Sequence, residues 1–115
     1  MVKLNSTFTP ELRENMRGGD GIVQMTNFVS SAELNEKGRL FGKIVLKPGC
    51  GIGYHVHENE SELFYIIKGT AVYDDNGIKT TVNAGDVTIT PPGQGHSIKN
   101  EGTETVELVA LIVHA

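Results

Sequence analysis

Residues 49 to 69 read GCGIGYHVHENESELFYIIKG, and this stretch decides the fold of the chain. His55 and His57 are two residues apart, and because the side chains of a strand alternate between its two faces, both imidazoles point to the same side. Glu62 opens the apolar run that follows, so a short turn brings its carboxylate back toward the imidazoles. The stretch therefore predicts a β-hairpin that carries three side chains of the metal-ligand type.

A second stretch, residues 85 to 100, reads GDVTITPPGQGHSIKN and supplies a fourth side chain of this type. His96 follows two prolines and two glycines and begins another predicted strand. It lies far from the hairpin in the sequence, so only the folded chain can bring it to the other three. We therefore predict one metal-ion site with four ligands: His55, His57, Glu62 and His96.

In these two stretches the chain resembles the cupin superfamily, as a small single-domain metal-binding member. The first family motif is a glycine, His-x-His, a glutamate and a glycine, and its positions are met by Gly49, His55, His57, Glu62 and Gly69. The second motif is met by Gly85, Pro91, Gly93, His96 and Asn100. The resemblance covers roughly residues 38 to 113 and implies a jelly-roll β-barrel whose mouth holds the metal ion.

The rest of the pattern agrees with an all-β fold. After Gly38, short runs rich in Val, Ile, Phe, Tyr and Thr alternate with Gly- and Pro-rich breaks, and Asn76-Gly77 is a typical hairpin turn. We expect residues 38 to 115 to form the barrel domain and residues 1 to 37 to pack on the barrel or on a partner subunit. Within residues 1 to 37, Thr9-Pro10 predicts the start of a short helix that ends at Gly18-Gly19, with an irregular segment as the alternative, and Gly18 to Gly21 predict a turn.

Composition excludes several classes of partner. A chain of 115 residues forms one domain, and a net charge of -4 with only 10 Lys and Arg argues against nucleic acid as a partner. No apolar run has the length of a signal peptide or of a membrane span, so we expect no membrane association. The single cysteine cannot form an internal disulfide and favours a cytoplasmic location.

Two predicted strands, LFYIIKG and VELVALIV, are apolar on both faces, which indicates that something covers their outer face. Side chains of that face are Leu63, Tyr65, Ile67, Val109, Leu111 and Val113. We predict a homodimer interface there. The alternative is that the N-terminal segment of the same chain covers the face.

Three neutral imidazoles and one carboxylate suit one divalent transition metal ion per chain: Mn, Fe, Ni, Co, Cu or Zn. An ion with about six ligands retains roughly two positions for water and substrate beside four protein donors, which is the open arrangement of catalytic sites. The ion and one carboxylate leave a net charge of about +1, which favours small anionic oxygen chelators such as enolates, 2-oxo acids and hydroxy acids. By strand parity, the substrate pocket includes Phe64, Ile66 and Ile98, with Lys43 a further candidate.

The resemblance implies several activities without choosing among them, because one fold supports many functions. The leading hypothesis is a metal-dependent enzyme acting on a small oxygen-rich, anionic metabolite, as a dioxygenase or oxidase, a decarboxylase or an isomerase. The His, His, Glu, His pattern resembles the germin, oxalate and dioxygenase branch more than the phosphomannose isomerases, although small cupins also carry the label sugar-phosphate-isomerase-like. The alternative is a non-catalytic module that binds or senses a small molecule or sugar. The complete ligand set argues against the metal-independent sugar epimerases of the superfamily.

For several other polar residues, a structural role is favoured over a role in the site. Any of Tyr54, Tyr65 and Tyr73 can serve as a proton donor if it faces the pocket, but packing is the favoured role. We place Glu58 and Glu60 in solvent at the rim of the barrel, and His114 near the end of the chain in solvent as well. Asn100 is expected to bond to backbone in a turn.

Overall fold

Ten β-strands in two antiparallel sheets make up the computed structural model, which describes residues 1 to 115. The strands are β1 (Glu11–Glu14), β2 (Ile22–Asn27), β3 (Gly38–Leu46), β4 (Gly51–Val56), β5 (Glu60–Lys68), β6 (Thr70–Asp75), β7 (Ile78–Asn83), β8 (Val87–Thr90), β9 (Gly95–Lys99) and β10 (Val106–His114). Two short 3-10 helices cover Asn5–Thr7 and Met16–Gly18. No helical segment is long or apolar enough to cross a membrane.

One sheet has six strands in the order β1-β2-β3-β10-β5-β8, and the other has four in the order β4-β9-β6-β7. The sheets enclose a core of 16 buried apolar residues. Burial alternates along β10, where Val106, Leu108, Ala110 and Ile112 face the core and their neighbours do not, because strand side chains point to opposite faces. The predicted all-β jelly roll is confirmed.

The predicted N-terminal helix is wrong. Glu11–Glu14 form β1, which pairs with β2 in the register Glu11↔Met25 to Glu14↔Ile22. All four residues of β1 are exposed, so a helix at this position would have no apolar face to bury, whereas a strand completes the hydrogen bonding of the edge of β2. Tertiary pairing thus overrides the capping signal at Thr9 and Pro10.

Strand β2 pairs directly with β3, from Val23↔Leu46 to Asn27↔Gly42. Residues before position 38 therefore extend the six-stranded sheet at its edge. A division of the chain into residues 1 to 37 and 38 to 115 remains a prediction.

Both predicted turns are confirmed. Asn76 and Gly77, with φ of 48° and 100°, connect β6 to β7, and such left-handed pairs match the twist of a two-residue hairpin. Gly18 and Gly21, with φ of 81° and 70°, reverse the chain before β2.

Asn100 is fully buried and bonds only to backbone. Its side-chain amide donates to the carbonyl oxygens of Leu46 at 2.9 Å and Glu104 at 2.7 Å, and its Oδ1 accepts a hydrogen bond from the amide of Gly102 at 3.0 Å. The expected backbone role is confirmed, and these bonds fix the loop that follows β9.

Candidate metal centre

The four predicted ligands come from both sheets. His55 lies on β4 opposite His96 on β9, and His57 follows directly after the end of β4. Glu62 belongs to β5 in the other sheet, where it pairs with Ile112 on one side and Thr90 on the other. The cluster therefore bridges the two sheets at one end of the barrel.

The ligand atoms of these four side chains converge on one point. All four atoms lie within 4.8 Å of one another. The Nε2 atom of His57 lies 3.1 Å from the Nε2 atoms of both His55 and His96 and 3.0 Å from Oε1 of Glu62. His57, Glu62 and His96 are buried, and His55 is partly buried.

Backbone contacts between the two motifs hold His57 in place. Its carbonyl oxygen accepts a hydrogen bond from the amide of Gly93 at 2.7 Å, and its own amide donates to the carbonyl of Gln94 at 3.1 Å. Gly93 has a φ of 85°, a left-handed conformation that glycine adopts without strain. The Pro- and Gly-rich loop before β9 thus aligns the first motif with the second.

The protonation states of the cluster favour a cation. Burial raises the pKa of the Glu62 carboxyl, but the hydrogen bonds with His57 and His96 outweigh burial and bring the pKa down to about 2. Burial lowers the pKa of the His55 imidazole below its ordinary value, although a hydrogen bond to Gly53 opposes the shift. At neutral pH the carboxylate is therefore anionic and His55 is neutral, and these are the forms that ligate metals.

A second layer of contacts orients the imidazoles. Nδ1–H of His55 donates to the carbonyl oxygen of Gly53 at 2.8 Å, which leaves Nε2 unprotonated. Nδ1 of His96 lies 2.7 Å from the hydroxyl of Tyr73 and 2.9 Å from that of Thr90. Both hydroxyls can accept from Nδ1–H, the tautomer that frees Nε2 of His96 for a metal ion.

Burial raises the pKa of Tyr73, so its phenol stays neutral while it holds His96. The phenyl ring of Phe64 stacks on the same imidazole, with ring centroids 5.1 Å apart and planes at 26°. His96 is thus fixed by two hydroxyl groups and by an aromatic face.

The donor set fits a metal ion. Three imidazole nitrogens and one carboxylate oxygen lie within 4.8 Å of one another, with Nε2 of His57 about 3 Å from the other three atoms. A single shared proton cannot satisfy all four. One divalent cation does so, and three nitrogens and one oxygen are donors that Mn, Fe, Co, Ni, Cu and Zn accept. The cluster is therefore able to hold a metal ion.

A cavity of about 400 Å³ adjoins the cluster, and His55, His57 and Glu62 form part of its wall. The other lining residues are Glu11, Arg13, Met16, Arg17, Met25, Asn27, Arg39, Leu40, Ile44, Ile52 and Ile112. The sequence did not indicate the three arginines, because they lie outside both motifs.

Phe64, Ile66 and Ile98 face inward as their parity predicts, but they belong to the fully buried core and do not line this cavity. Their role in a substrate pocket remains a prediction. Lys43 is half-exposed on the outer face of β3, where its Nζ lies 3.5 Å from Oε1 of Glu107.

Glu60 differs from the solvated rim residue that the sequence suggests. Its carboxylate is largely buried, pairs with Nε of Arg39 at 2.9 Å, and lies 3.8 Å from Nδ1 of His57. Glu58 and His114 are exposed, in agreement with the sequence. Glu60 and Arg39 thus form a charged pair beside the metal cluster.

The family profile for the cupin domain matches residues 42 to 113. The chain belongs to the cupin family. This cupin is 43% identical over 113 residues to a protein of Thermotoga maritima named oxalate-binding protein, an alignment that covers 98% of this chain and 93% of that relative.

Solved structures agree with the family assignment. A crystal structure of a predicted oxalate decarboxylase from Thermotoga maritima matches with a TM-score of 0.96 and 43% identity over 100% of both chains. The cupin domain of Cnp3 from Schizosaccharomyces pombe matches with a TM-score of 0.74 and 19% identity over 91% of this chain and 69% of that chain. The second similarity is one of fold alone.

Removal of one imidazole tests the metal site. We expect this cupin, reloaded with a divalent transition metal and dialysed, to contain about one ion per chain, and the His57→Ala variant to contain far less because the central donor is gone. His114→Ala is the matched control, since this histidine is exposed and is not one of the four clustered residues. Elemental analysis gives the metal content. Full occupancy in His57→Ala, or none in the parent protein, contradicts the assignment.

Removal of one hydroxyl tests the second layer. Tyr73→Phe deletes the group 2.7 Å from Nδ1 of His96, and we expect metal affinity to fall by about tenfold, the scale typical of outer contacts to a ligand. Tyr54→Phe is the control, because Tyr54 is 49% exposed. Competition with a chromophoric chelator measures the affinity. Equal affinities in both variants show that Tyr73 does not position His96.

Proposed function

We propose that this cupin binds a small anionic metabolite rich in oxygen, of the oxalate type, at a divalent transition metal ion held by His55, His57, Glu62 and His96. The observation that carries the proposal is the convergence of these four donors beside a cavity of about 400 Å³. This volume lies at the small end of the range for ligand sites, which favours a compact ligand.

Charge supports an anionic ligand. A divalent ion beside one carboxylate and three neutral imidazoles leaves a local charge of about +1 in a largely buried site. Carboxylate and enolate oxygens are suitable ligands for such an ion and chelate it through two atoms. The relative from Thermotoga maritima, named for oxalate binding, supports the same ligand class.

We place binding ahead of turnover, because the cavity offers few groups for proton transfer. Apart from the metal cluster, its only carboxyl group is that of Glu11, which is exposed and paired with Arg13. A bound divalent ion supplies a Lewis acid and, if it is redox-active, an electron-transfer centre. Oxidation, decarboxylation and isomerisation remain the candidate reactions, and decarboxylation is favoured by the relative described as a predicted oxalate decarboxylase.

Calorimetric titration with oxalate tests the proposal. We expect the metal-loaded protein to bind oxalate at least roughly 100-fold more tightly than the metal-free protein, because the ion supplies the main charge. His57→Ala treated with the same metal should behave like the metal-free protein, and His114→Ala like the parent. Equal binding with and without metal, or no binding in either form, contradicts the proposal.

The same samples separate enzyme from binding module. With oxalate as the substrate, the release of formate and carbon dioxide and the uptake of oxygen are measured. The protein is loaded in turn with Mn, Fe, Co, Ni, Cu and Zn. Metal-dependent turnover that is lost in His57→Ala identifies an enzyme. Tight binding without turnover under every metal identifies a binding module.

We also propose that two copies of the chain associate through the outer face of the six-stranded sheet. Two apolar rows cross this face, and the register aligns Phe41, Leu111, Leu63 and Ile89 in one row and Val109, Tyr65 and Val87 in the next. Tyr65 is 51% exposed, and Val87 and Ile89 are each 58% exposed. An apolar area of this extent is typical of an interaction surface.

The N-terminal segment covers only one margin of this face. The ring of Phe28 meets Phe41 at a centroid distance of 5.3 Å, and Phe8 meets Phe28 at 5.7 Å. Strands β1 and β2 lie beside β3 in the sheet rather than above it. Cover by the same chain therefore does not reach β5 and β8, which favours a second copy as the cover.

Light scattering after size exclusion tests the dimer. We expect the parent protein to have twice the chain mass of 12.4 kDa, and Tyr65→Glu to have the mass of a single chain, because a charge in the apolar interface lacks a partner. Ile78→Glu is the control, since Ile78 is 71% exposed on the other sheet. A monomeric parent, or a dimeric Tyr65→Glu variant, contradicts the proposal.

A further inference from the structure

The N-terminal segment forms much of the cavity wall that faces the metal cluster. Its lining residues are Glu11, Arg13, Met16, Arg17, Met25 and Asn27. Neither family motif includes any of them, and the cupin profile begins only at residue 42. The surroundings of a ligand are therefore set in part by a segment that does not contribute to the metal centre.

The loop from Asn15 to Gly21 is docked on the strand that carries His55. The amide of Gly51 donates to the carbonyl of Asp20 at 2.9 Å, and the amide of Asn15 donates to the carbonyl of Gly21 at 2.9 Å, which closes the loop. A side chain on Gly53 would collide with the carbonyl oxygen of Arg17, and one on Gly19 would collide with that of Gly51. Backbone thus lies directly on backbone, and the position of Arg17 relative to β4 is fixed.

Arg17 itself has a constrained conformation. Its φ is 55° and that of Asn15 is 50°, a left-handed region that is strained for a residue with a side chain. The closed loop and its contacts with β4 maintain this conformation.

Arg17 is the one arginine of the cavity wall without a carboxylate partner. Arg13 pairs with Glu11, with nitrogen-oxygen distances of 3.1 and 3.2 Å. Arg39 pairs with Glu60 at 2.9 and 3.2 Å. No acidic oxygen lies within 4.0 Å of the Arg17 guanidinium, so its charge and its donors are free to act on a ligand.

We propose that Arg17 binds the part of an anionic ligand that lies away from the metal centre, and thereby selects ligands with two carboxylates over ligands with one. This inference rests on the proposed function. The metal centre has a charge of about +1, and unpaired Arg17 adds +1, whereas the Arg13–Glu11 and Arg39–Glu60 pairs are each neutral. The sum of about +2 matches a dianion such as oxalate. Arg17 is thus a specificity residue supplied by the N-terminal loop.

A comparison of two chelators tests the role of Arg17. Oxalate and glycolate both offer two oxygens to a metal ion, but oxalate carries a second carboxylate. In the metal-loaded full-length protein, we expect Arg17→Gln to weaken oxalate binding by roughly tenfold and glycolate binding by less than about threefold. Gln is chosen because it removes the charge while it retains a side chain at the left-handed position. Calorimetry measures both affinities, and elemental analysis confirms equal metal content.

The control variant removes a paired charge that lies in the N-terminal segment but outside the cavity wall. The double substitution Lys3→Gln with Glu33→Gln leaves the net charge unchanged, and we expect it to alter neither affinity by more than about twofold. Arg17→Lys should recover part of the oxalate affinity. Because Arg17 is exposed, the effect of Arg17→Gln should diminish as salt is added.

The outcomes separate this inference from the proposed function. If the parent protein binds both anions and Arg17→Gln binds oxalate as the parent does, the role of Arg17 is refuted while the proposed function stands. An equal loss for both anions also refutes selection by Arg17. If the metal-loaded parent protein binds neither anion, the proposed function fails and the inference fails with it.

Discussion

The backbone pairing between His57 and the loop of residues 91 to 95 is the constraint on which the site depends. His57 and His96 are 39 positions apart, and the two hydrogen bonds of His57 to Gly93 and Gln94 bring their strands into contact. The pairing of His55 with His96 across β4 and β9 continues the same contact. Bringing these distant segments together costs conformational entropy, which the contacts of the closed barrel offset. The geometry of the ligands therefore follows from the fold.

The four polar side chains of the cluster lie in an apolar barrel, where buried polar atoms require hydrogen-bond partners. Gly53, Tyr73 and Thr90 satisfy the distal nitrogens of His55 and His96, and the histidines stabilise the carboxylate of Glu62 as an anion. The remaining ligand atoms, three Nε2 nitrogens and one carboxylate oxygen, are directed to one point. This arrangement of donors suits a metal ion.

The ligand set and the barrel were predictable from the sequence because their signals are local. Alternation puts His55 and His57 on one face, and the glycines and prolines mark where strands end. The alternation of side chains along a strand also predicted that Phe64, Ile66 and Ile98 face inward. It does not distinguish the packed core from the cavity wall. That distinction depends on how far the two sheets separate at each level.

Other features depend on contacts between distant segments and leave no local signal. Glu11–Glu14 carry a helix start, yet they form a strand because the edge of β2 is available for pairing. Tyr73 and Thr90 meet His96 only after β6, β8 and β9 have assembled. The isolation of Arg17 from carboxylates becomes visible only when the loop is placed against β4.

Because Gly19 approaches β4 closely, the preference for an anion and the geometry of the metal centre can change independently. The loop meets this strand through main-chain atoms, so side chains within the loop can be exchanged without a change at the histidines. A lineage of such proteins can therefore diversify its preference among anions by mutations in one short segment and inherit the inorganic centre unaltered. Evolution toward a new nutrient or signal then begins at the periphery of the cavity.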